Sequence, residues 1–191
     1  SDIEFQFPFG FKELEGIHSR TDFDLKAHME HSGKKMQYFD PEVNEHYVPY
    51  VVETSIGLDR MFLAVLSSSY VEESVSNEET RVFLKIPPQI APIKLAVLPL
   101  TKKDNLPEKA REIIKSLQLN FSCQYEEKDS IGKRYRRQDA IGTPYCITVD
   151  HESLENETIT LRNRDDMSQE RIKISEINAV ISKKLALSNL F

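Results

Sequence analysis

Apolar and polar positions alternate from Ile3 to Ile17 (IEFQFPFGFKELEGI), which predicts two strands broken around Pro8 and Gly10. The stretch from Ser19 to Asp40 is polar, with a short helix expected near Asp24 to Glu30. Tyr47 to Glu53 is apolar and β-branched and reads as a strand. A small polar turn is expected at Thr54 and Ser55, followed by a helix over Gly57 to Ser69. Val71 to Thr80 (VEESVSNEET) is acidic and serine-rich and reads as a solvated helix end or loop.

Ile86 to Pro92 (IPPQIAP) forms neither regular helix nor central strand, because proline lacks the backbone donor and restricts its predecessor. A linker is placed there, dividing residues 1–88 from 89–191. From Ile93 the rhythm changes to strand, helix, strand, helix, strand. Ile93 to Leu98 is a continuous apolar run, as in a strand buried on both faces. Pro107 to Leu117 places Ala110, Ile113, Ile114 and Leu117 at helical spacing. Phe121 to Tyr125 reads as a strand, Ile131 to Ile141 as a basic helix ending at Gly142, and Tyr145 to Val149 as another strand. Glu157 to Arg162 and Arg171 to Ile174 suit a hairpin. Ile174 to Leu187 is an amphipathic helix with Ile177, Val180, Ile181 and Leu185 on one face. This alternation predicts an α/β architecture with a mixed sheet flanked by helices.

Composition narrows the classes. The 191 residues carry a net charge of −6, with 39% hydrophobic and 29% charged residues, which suits a globular protein rather than a fibrous or low-complexity one. An acidic total argues against diffuse nucleic-acid binding and leaves room for a local basic patch. Cys123 and Cys146 form no disulfide framework and no zinc spacing, and suit a reducing cytoplasm. His28 and His31 lack a second ligand pair and read as surface residues, so no metal site is expected. No run reaches the ~20 apolar residues of a membrane span, and Ser1 to Glu4, without a basic or apolar start, is not expected to be a signal peptide.

Three clusters carry chemistry. Glu13 to Leu25 (ELEGIHSRTDFDL) gathers Glu13, Glu15, Arg20, Asp22 and Asp24; on a regular strand Glu13 and Glu15 share a face, where solvent or a bound ammonium relieves their repulsion. Glu53, Ser55 and Arg60 lie at the mouth of a strand–turn–helix, where a carboxylate, a hydroxyl and a guanidinium suit an amino group and a phosphate. The bland alternative makes them a solvated strand end, an N-cap and a first-turn arginine. Lys133, Arg134, Tyr135, Arg136 and Arg137 interleave an aromatic among basic residues, with Arg162 and Arg164 near the same predicted sheet. That pattern suits a nucleic-acid backbone and a stacked base, or else a solvated helix face paired with Asp129 and Asp139.

ELEGIHSRTDFDL and VVETSIGLDR together resemble the glycyl-tRNA synthetases of the α2, class II type, the second segment being similar to class II motif 3. Residues from Pro92 onward, especially GKRYRRQDAIGTPYCITVD and ETITLRNRDDMSQERI, resemble the anticodon-binding domain of class IIa synthetases. The resemblance implies an α+β remnant of an antiparallel-sheet catalytic domain in residues 1–88 and an α/β anticodon-binding domain in 89–191. It implies that Glu13, Glu53 and Ser55 hold glycine and that Arg60, with Glu53, meets ATP. Arg20, Asp22 and Asp24 would shape the pocket. Lys133, Arg134, Arg136, Arg137 and Arg162 are the expected tRNA contacts. The implied whole enzyme is a cytoplasmic homodimer that activates glycine with ATP and Mg²⁺ and transfers it to tRNA(Gly). Motifs 1 and 2 are not found, so the chain is expected to be the C-terminal part of such an enzyme, to contain no complete catalytic set and to be inactive alone. The competing reading is a non-catalytic, synthetase-like tRNA-binding protein; the presence of Glu13, Glu53, Ser55 and Arg60 speaks against it.

Overall fold

The alternating run at the start of the chain folds as a strand pair. β1 (Asp2–Phe7) and β2 (Gly10–Thr21) pair antiparallel, turning at Gly10, whose φ of +105° is open to glycine at little cost. The computed structural model describes residues 1–76 and 79–189. Helix α1 (Phe23–Ser32) follows β2, and β3 (Tyr38–Asp40) pairs with β4 (Glu45–Tyr47) in a small hairpin that the polarity of this region concealed. β5 (Val51–Ile56) joins β2, giving an antiparallel sheet of order β1-β2-β5.

The expected turn at Thr54 and Ser55 is corrected here. Both lie inside β5, which stays in register with β2 as far as Ile56 opposite Glu15. Gly57 alone separates β5 from α2 (Leu58–Ser69). The chain divides into two compact units, Ser1–Ser67 and Ser68–Phe191. The first buries little of its own apolar surface. Among its described residues Phe7 and Ala64 are buried hydrophobics, whereas Phe9, Phe11, Tyr50, Val52, Leu58 and Phe62 stay exposed.

The second unit begins with β6 (Tyr70–Ser76) and β7 (Glu79–Leu84), an antiparallel hairpin. The helix end or loop expected at Val71 to Thr80 is therefore corrected, with Asn77 and Glu78 outside the described residues. The reason is a reversed burial pattern: on β7, Arg81 and Phe83 face inward while Val82 is exposed. A charged residue at a core position hides the period of two.

Beyond the hairpin run β8 (Leu95–Pro99), α3 (Leu106–Leu117), β9 (Cys123–Tyr125), α4 (Ile131–Ala140), β10 (Tyr145–Val149), α5 (His151–Asn156), β11 (Thr158–Asn163), β12 (Gln169–Lys173) and α6 (Ile177–Lys184). They build a mixed sheet of order β12-β11-β10-β8-β9, parallel across β10-β8-β9 and antiparallel elsewhere. Alternation along the central strands sends side chains to both faces. Leu95, Val97, Ile147 and Val149 pack with α3 and α6 residues, whereas Ala96, Leu98 and Cys146 pack with Ile131 and Tyr135 of α4. The apolar run at Ile93 to Leu98 is indeed buried on both faces.

The proline segment at 86–92 lies inside the second unit. Lys94 Nζ donates to the carbonyls of Pro88 and Gln89 at 3.1 and 2.7 Å, and Arg164 Nη2 to that of Ile86 at 2.8 Å. Gly142, with φ +84°, sits under Ile86: a Cβ there would lie 2.8 Å from Ile86 Cδ1 and 3.2 Å from the Leu84 carbonyl. The α4 terminus thus accepts the 84–86 backbone only because residue 142 has no side chain.

A fragment 68–191 is expected to unfold in one transition, at a temperature roughly 10 °C above a fragment 93–191, because the shorter piece loses the ion pairs of Arg81 and the cover of Ile86. Calorimetry of the two pieces decides this; equal melting temperatures would make the hairpin dispensable.

Candidate functional site

In the first unit, two bulges in β2 arrange the polar side chains. Ile3 pairs with Glu15 and Glu4 with Glu13, so Leu14 has no partner on β1. Directly opposed residues share a face and neighbours on a strand alternate. Glu13 and Glu15 therefore lie on opposite faces, which corrects the expectation that they share one. Glu13 falls on the face of Gly16. Because Gly16 pairs with Ser55 and His18 with Glu53, all of these share that face. The second bulge lies between Ser19, opposite Val52, and Thr21, opposite Val51. It leaves Arg20 unpaired in the ladder and free to turn toward Glu53. Bulges re-aim side chains in this way.

Arg20 grips Asp24 with two hydrogen bonds, Nε to Oδ2 at 2.8 Å and Nη2 to Oδ1 at 2.9 Å, and its Nε lies 3.3 Å from Glu53 Oε2. Its hydrogen bond to Asp24 raises the Arg20 pKa and holds that of Asp24 below the usual carboxylate range. Lys26 Nζ pairs with Asp22 at 2.6 Å. Arg60, in the first turn of α2, donates from Nη1 to the backbone carbonyl of Glu13 and so ties α2 to β2. The structure brings Glu13, Arg20, Glu53, Ser55 and Arg60 together within one sheet and its following helix. Two carboxylates and a hydroxyl on one face suit an ammonium group, and arginine suits a phosphate.

In the second unit, α4 splits its basic residues between two sides. Lys133 is exposed, whereas Arg136 and Arg137, which their spacing places on the same side, are half-buried. Arg137 is held by Glu126 and by Asp129, the latter at 2.9 Å, and these pairings, Glu126 first, raise its pKa. Arg134 points the other way and is 2% exposed. Its Nη1 donates to Pro99 O at 2.6 Å and Glu126 O at 3.3 Å, and its Nη2 to Leu100 O at 3.1 Å. The guanidinium closes the crevice at the carboxyl ends of β8 and β9, a place where open α/β sheets often hold ligands. Burial lowers the Arg134 pKa.

Arg162 is also interior, at 4% exposure, and makes two hydrogen bonds to the buried Asp139: Nη1 to Oδ1 at 2.8 Å and Nη2 to Oδ2 at 3.0 Å. Burial opposes its charge, but the Asp139 hydrogen bonds and charge prevail, leaving a raised pKa. Arg134 and Arg162, both expected as tRNA contacts, are thus largely interior: Arg134 donates to backbone carbonyls and Arg162 turns both terminal nitrogens to Asp139. Asp139 is likewise interior and does not belong to a solvated helix face.

One face of Arg162 remains useful. It borders a cleft of about 210 Å³ with Gly132, Tyr135, Arg136, Met167 and Gln169. Arg162 lies 4.7 Å over the Tyr135 ring, whose hydroxyl shares a 2.5 Å hydrogen bond with Thr148 Oγ1. The cleft is below the ~300 Å³ of drug-sized pockets. Its size and its lining, with Arg136, the Gln169 amide and the charged edge of Arg162, suit a single planar group rich in acceptors. At Gly132 a Cβ would meet nothing within 4 Å, so the floor is open. Gly132, Met167 and Gln169 were not anticipated. Met167 sits in the β11–β12 turn with φ +58°, a placement that no periodicity reveals.

The family described as an anticodon binding domain matches residues 94–184. The chain is 57% identical over 184 residues to the glycine–tRNA ligase of Chlorobaculum tepidum, which covers 96% of this chain and 39% of that protein. It is 55% identical over 185 residues to the glycine–tRNA ligase of Clostridium acetobutylicum, covering 97% and 40%. The chain therefore spans about two fifths of the length of the curated relatives it matches. A crystal structure of the RNA binding domain of threonyl-tRNA synthetase from Cryptosporidium parvum superposes with a TM-score of 0.69, covering 96% of this chain and 42% of that one. At 18% identity that likeness shows the fold alone.

Arg162→Met is expected to destabilise the second unit by about 3 kcal/mol, because it strips the buried Asp139 carboxylate of its two hydrogen bonds. Denaturant titration of the variant measures this, and a loss under about 1 kcal/mol would return Arg162 to the role of a surface contact.

Proposed function

We propose that this chain, which belongs to the glycine–tRNA ligase family, is the part of such an enzyme that reads its tRNA and supplies one wall of the site where glycine meets ATP. The cleft beside α4 carries the tRNA half of this assignment. It lies among residues 94–184, offers Arg136, Arg162 and Gln169 to one planar group, and is flanked by the outward Lys133. A tRNA base seats in the cleft, while Lys133, Arg136 and Arg137 meet the adjoining phosphates.

On the sheet face of the first unit, Glu13, Glu53 and Ser55 receive the glycine ammonium, and Arg60 meets ATP phosphate. Arg20, paired with Glu53, fixes the direction of that carboxylate. Glycine has no side chain to recognise, so selection rests on this grip and on exclusion of larger residues. In the whole ligase the glycine carboxylate attacks the α-phosphate of ATP, forming glycyl-adenylate and releasing pyrophosphate; a hydroxyl at the 3′ end of tRNA(Gly) then takes the glycyl group as an ester and AMP leaves. The protein contributes position and charge rather than proton transfer. Among the described residues no cluster of three or more His, Cys, Asp or Glu is arranged to hold a metal. Mg²⁺ would arrive on the ATP phosphates and neutralise their charge.

The exposed apolar residues of the first unit, Phe9, Phe11, Val52 and Phe62 among them, call for further protein surface to cover them. The chain by itself is therefore inactive, and activity belongs to the longer ligase, for which we extend the family resemblance to a cytoplasmic homodimer. No helix among the described residues is long and apolar enough to cross a membrane.

This chain is expected to bind tRNA(Gly) with an affinity that falls as salt rises, by ~0.7–0.9 in log–log slope per phosphate contacted. Gly132→Leu, which leaves the fold unstrained and fills the cleft, is expected to abolish preference for tRNA(Gly) over the same tRNA with an exchanged anticodon. Unchanged preference in a filter-binding titration would remove the cleft from tRNA reading. In a full-length ligase, Glu53→Gln is expected to lower kcat/KM for glycine about tenfold or more in ATP–pyrophosphate exchange. The isolated chain should show no glycine-dependent exchange, and any exchange would contradict the incomplete site.

A further inference from the structure

The hairpin residue Arg81 lies outside the stretch that matches the anticodon-binding family, residues 94–184, and does not line the cleft. Yet it contacts the same carboxylate as Arg162. Its Nε stands 3.2 Å from Asp139 Oδ2, a contact of charge without an aligned hydrogen bond, since that Nε has no hydrogen-bond partner. The rest of the side chain is fixed on every side. Nη1 donates to Glu73 Oε1 at 2.6 Å, Nη2 donates to the Arg164 carbonyl, and the guanidinium lies 4.0 Å over the Phe83 ring.

Arg81, Asp139 and Arg162 have side-chain exposures of 0%, 0% and 5%. Two guanidiniums therefore share one carboxylate away from water, and Glu73 balances the second charge from a half-exposed position, where water screens it more than the buried contacts. The small exposed edge of Arg162 borders the cleft. Glu73 is the other acid on Arg81, and at 36% exposure it faces partly into solvent.

We propose that Arg81 is a positioning residue for RNA recognition: through Asp139 it keeps the Arg162 charge from being fully neutralised and so polarises the cleft toward an acceptor-rich base. This rests on the reading of the cleft given above. Without Arg81, Arg162 and Asp139 form a closed neutral pair, and the cleft loses its pull. Glu73 sets how much of the Arg81 charge is available to Asp139.

The test measures affinity of this chain for tRNA(Gly) and for the same transcript with an exchanged anticodon, and takes their ratio. Arg81→Gln is expected to lower the ratio about tenfold in protein that remains folded. Glu73→Gln alters a half-exposed partner and spares the buried groups; it is expected to raise the ratio about twofold or more. In the Arg81→Gln background the Glu73→Gln effect should vanish, because Glu73 acts only through Arg81. A purely structural role for Arg81 shifts the melting temperature and leaves the ratio fixed in all three variants, which would overturn the proposal. Should Arg81→Gln fail to fold, an unchanged ratio in Glu73→Gln alone overturns it. Gly132→Leu separates the two ideas. If it leaves the ratio intact, the cleft reading fails and this proposal with it. If it abolishes the ratio while the Glu73 and Arg81 variants leave it unmoved, only the role of Arg81 fails.

Discussion

Asp139 stands at 0% exposure on α4, and three separate pieces of chain meet at its carboxylate. Arg162 reaches it from β11 with two hydrogen bonds, and Arg81 reaches it from the β6–β7 hairpin. A buried carboxylate without partners would cost several kcal/mol, so neither arginine is an ornament. The same contacts decide where the second unit begins. The hairpin belongs with the sheet because its arginine belongs with Asp139, and Arg164 extends the bond by holding Gly142 and Ile86 through their carbonyls at 2.7 and 2.8 Å. The α4 helix, which presents the outward basic residues, thus has its inner side fixed by charge as well as by the packing of Ile131 and Tyr135 on Ala96 and Leu98.

The first unit depends on backbone geometry instead. Its sheet would put Glu13 and Ser55 on opposite faces if β2 were regular. The extra residue at Leu14 inverts the alternation once, and the extra residue at Arg20 releases a side chain toward Glu53. Gly16, opposite Ser55, serves the same face by leaving space: a Cβ there would sit 2.6 Å from His18 Nε2. The irregularities re-aim polar side chains onto one half-exposed face of the sheet.

Much of the second unit was legible from periodicity. The strand runs at 93–98 and 145–149 and the helix at 107–117 follow from apolar spacing, because burial on one or both faces dictates that spacing. The short helix α5 escaped notice: it has no apolar stripe and is held by the capping box of Asp150 with Ser153. The hairpin at 70–84 escaped because Arg81 takes a core position. In the basic segment the residue types were readable and their directions only in part. Lys133 is exposed as spacing requires, while Arg136 and Arg137 are half-buried. Arg134 could have been separated from them by its place four residues before Gln138, on the side of the helix that packs. For Arg162, the clue was an arginine next to Leu161 in an apolar strand, which demands a buried acid. Glu53, Ser55 and Arg60 were legible as a group, but Glu13 reaches their face only through a bulge that no alternation pattern announces.

The RNA reading proposed for this chain meets a physical difficulty, since 31 carboxylates against 25 Lys and Arg repel a polyanion at long range. Positive charge on mobile surface lysines would be screened within about 8 Å at physiological salt and would attract any phosphate alike. Charge anchored under a small cleft behaves differently. It acts over a few ångströms, in a medium that screens little, and only on a group shaped to enter. Arginine suits this better than lysine because its fork can hold Asp139 with two donors and still present an edge over Tyr135. Burying basic residues, which at first removes them from the binding surface, is thus compatible with the recognition proposed: the buried arginines would supply selectivity while Lys133, Arg136 and Arg137 would supply contact with the phosphates.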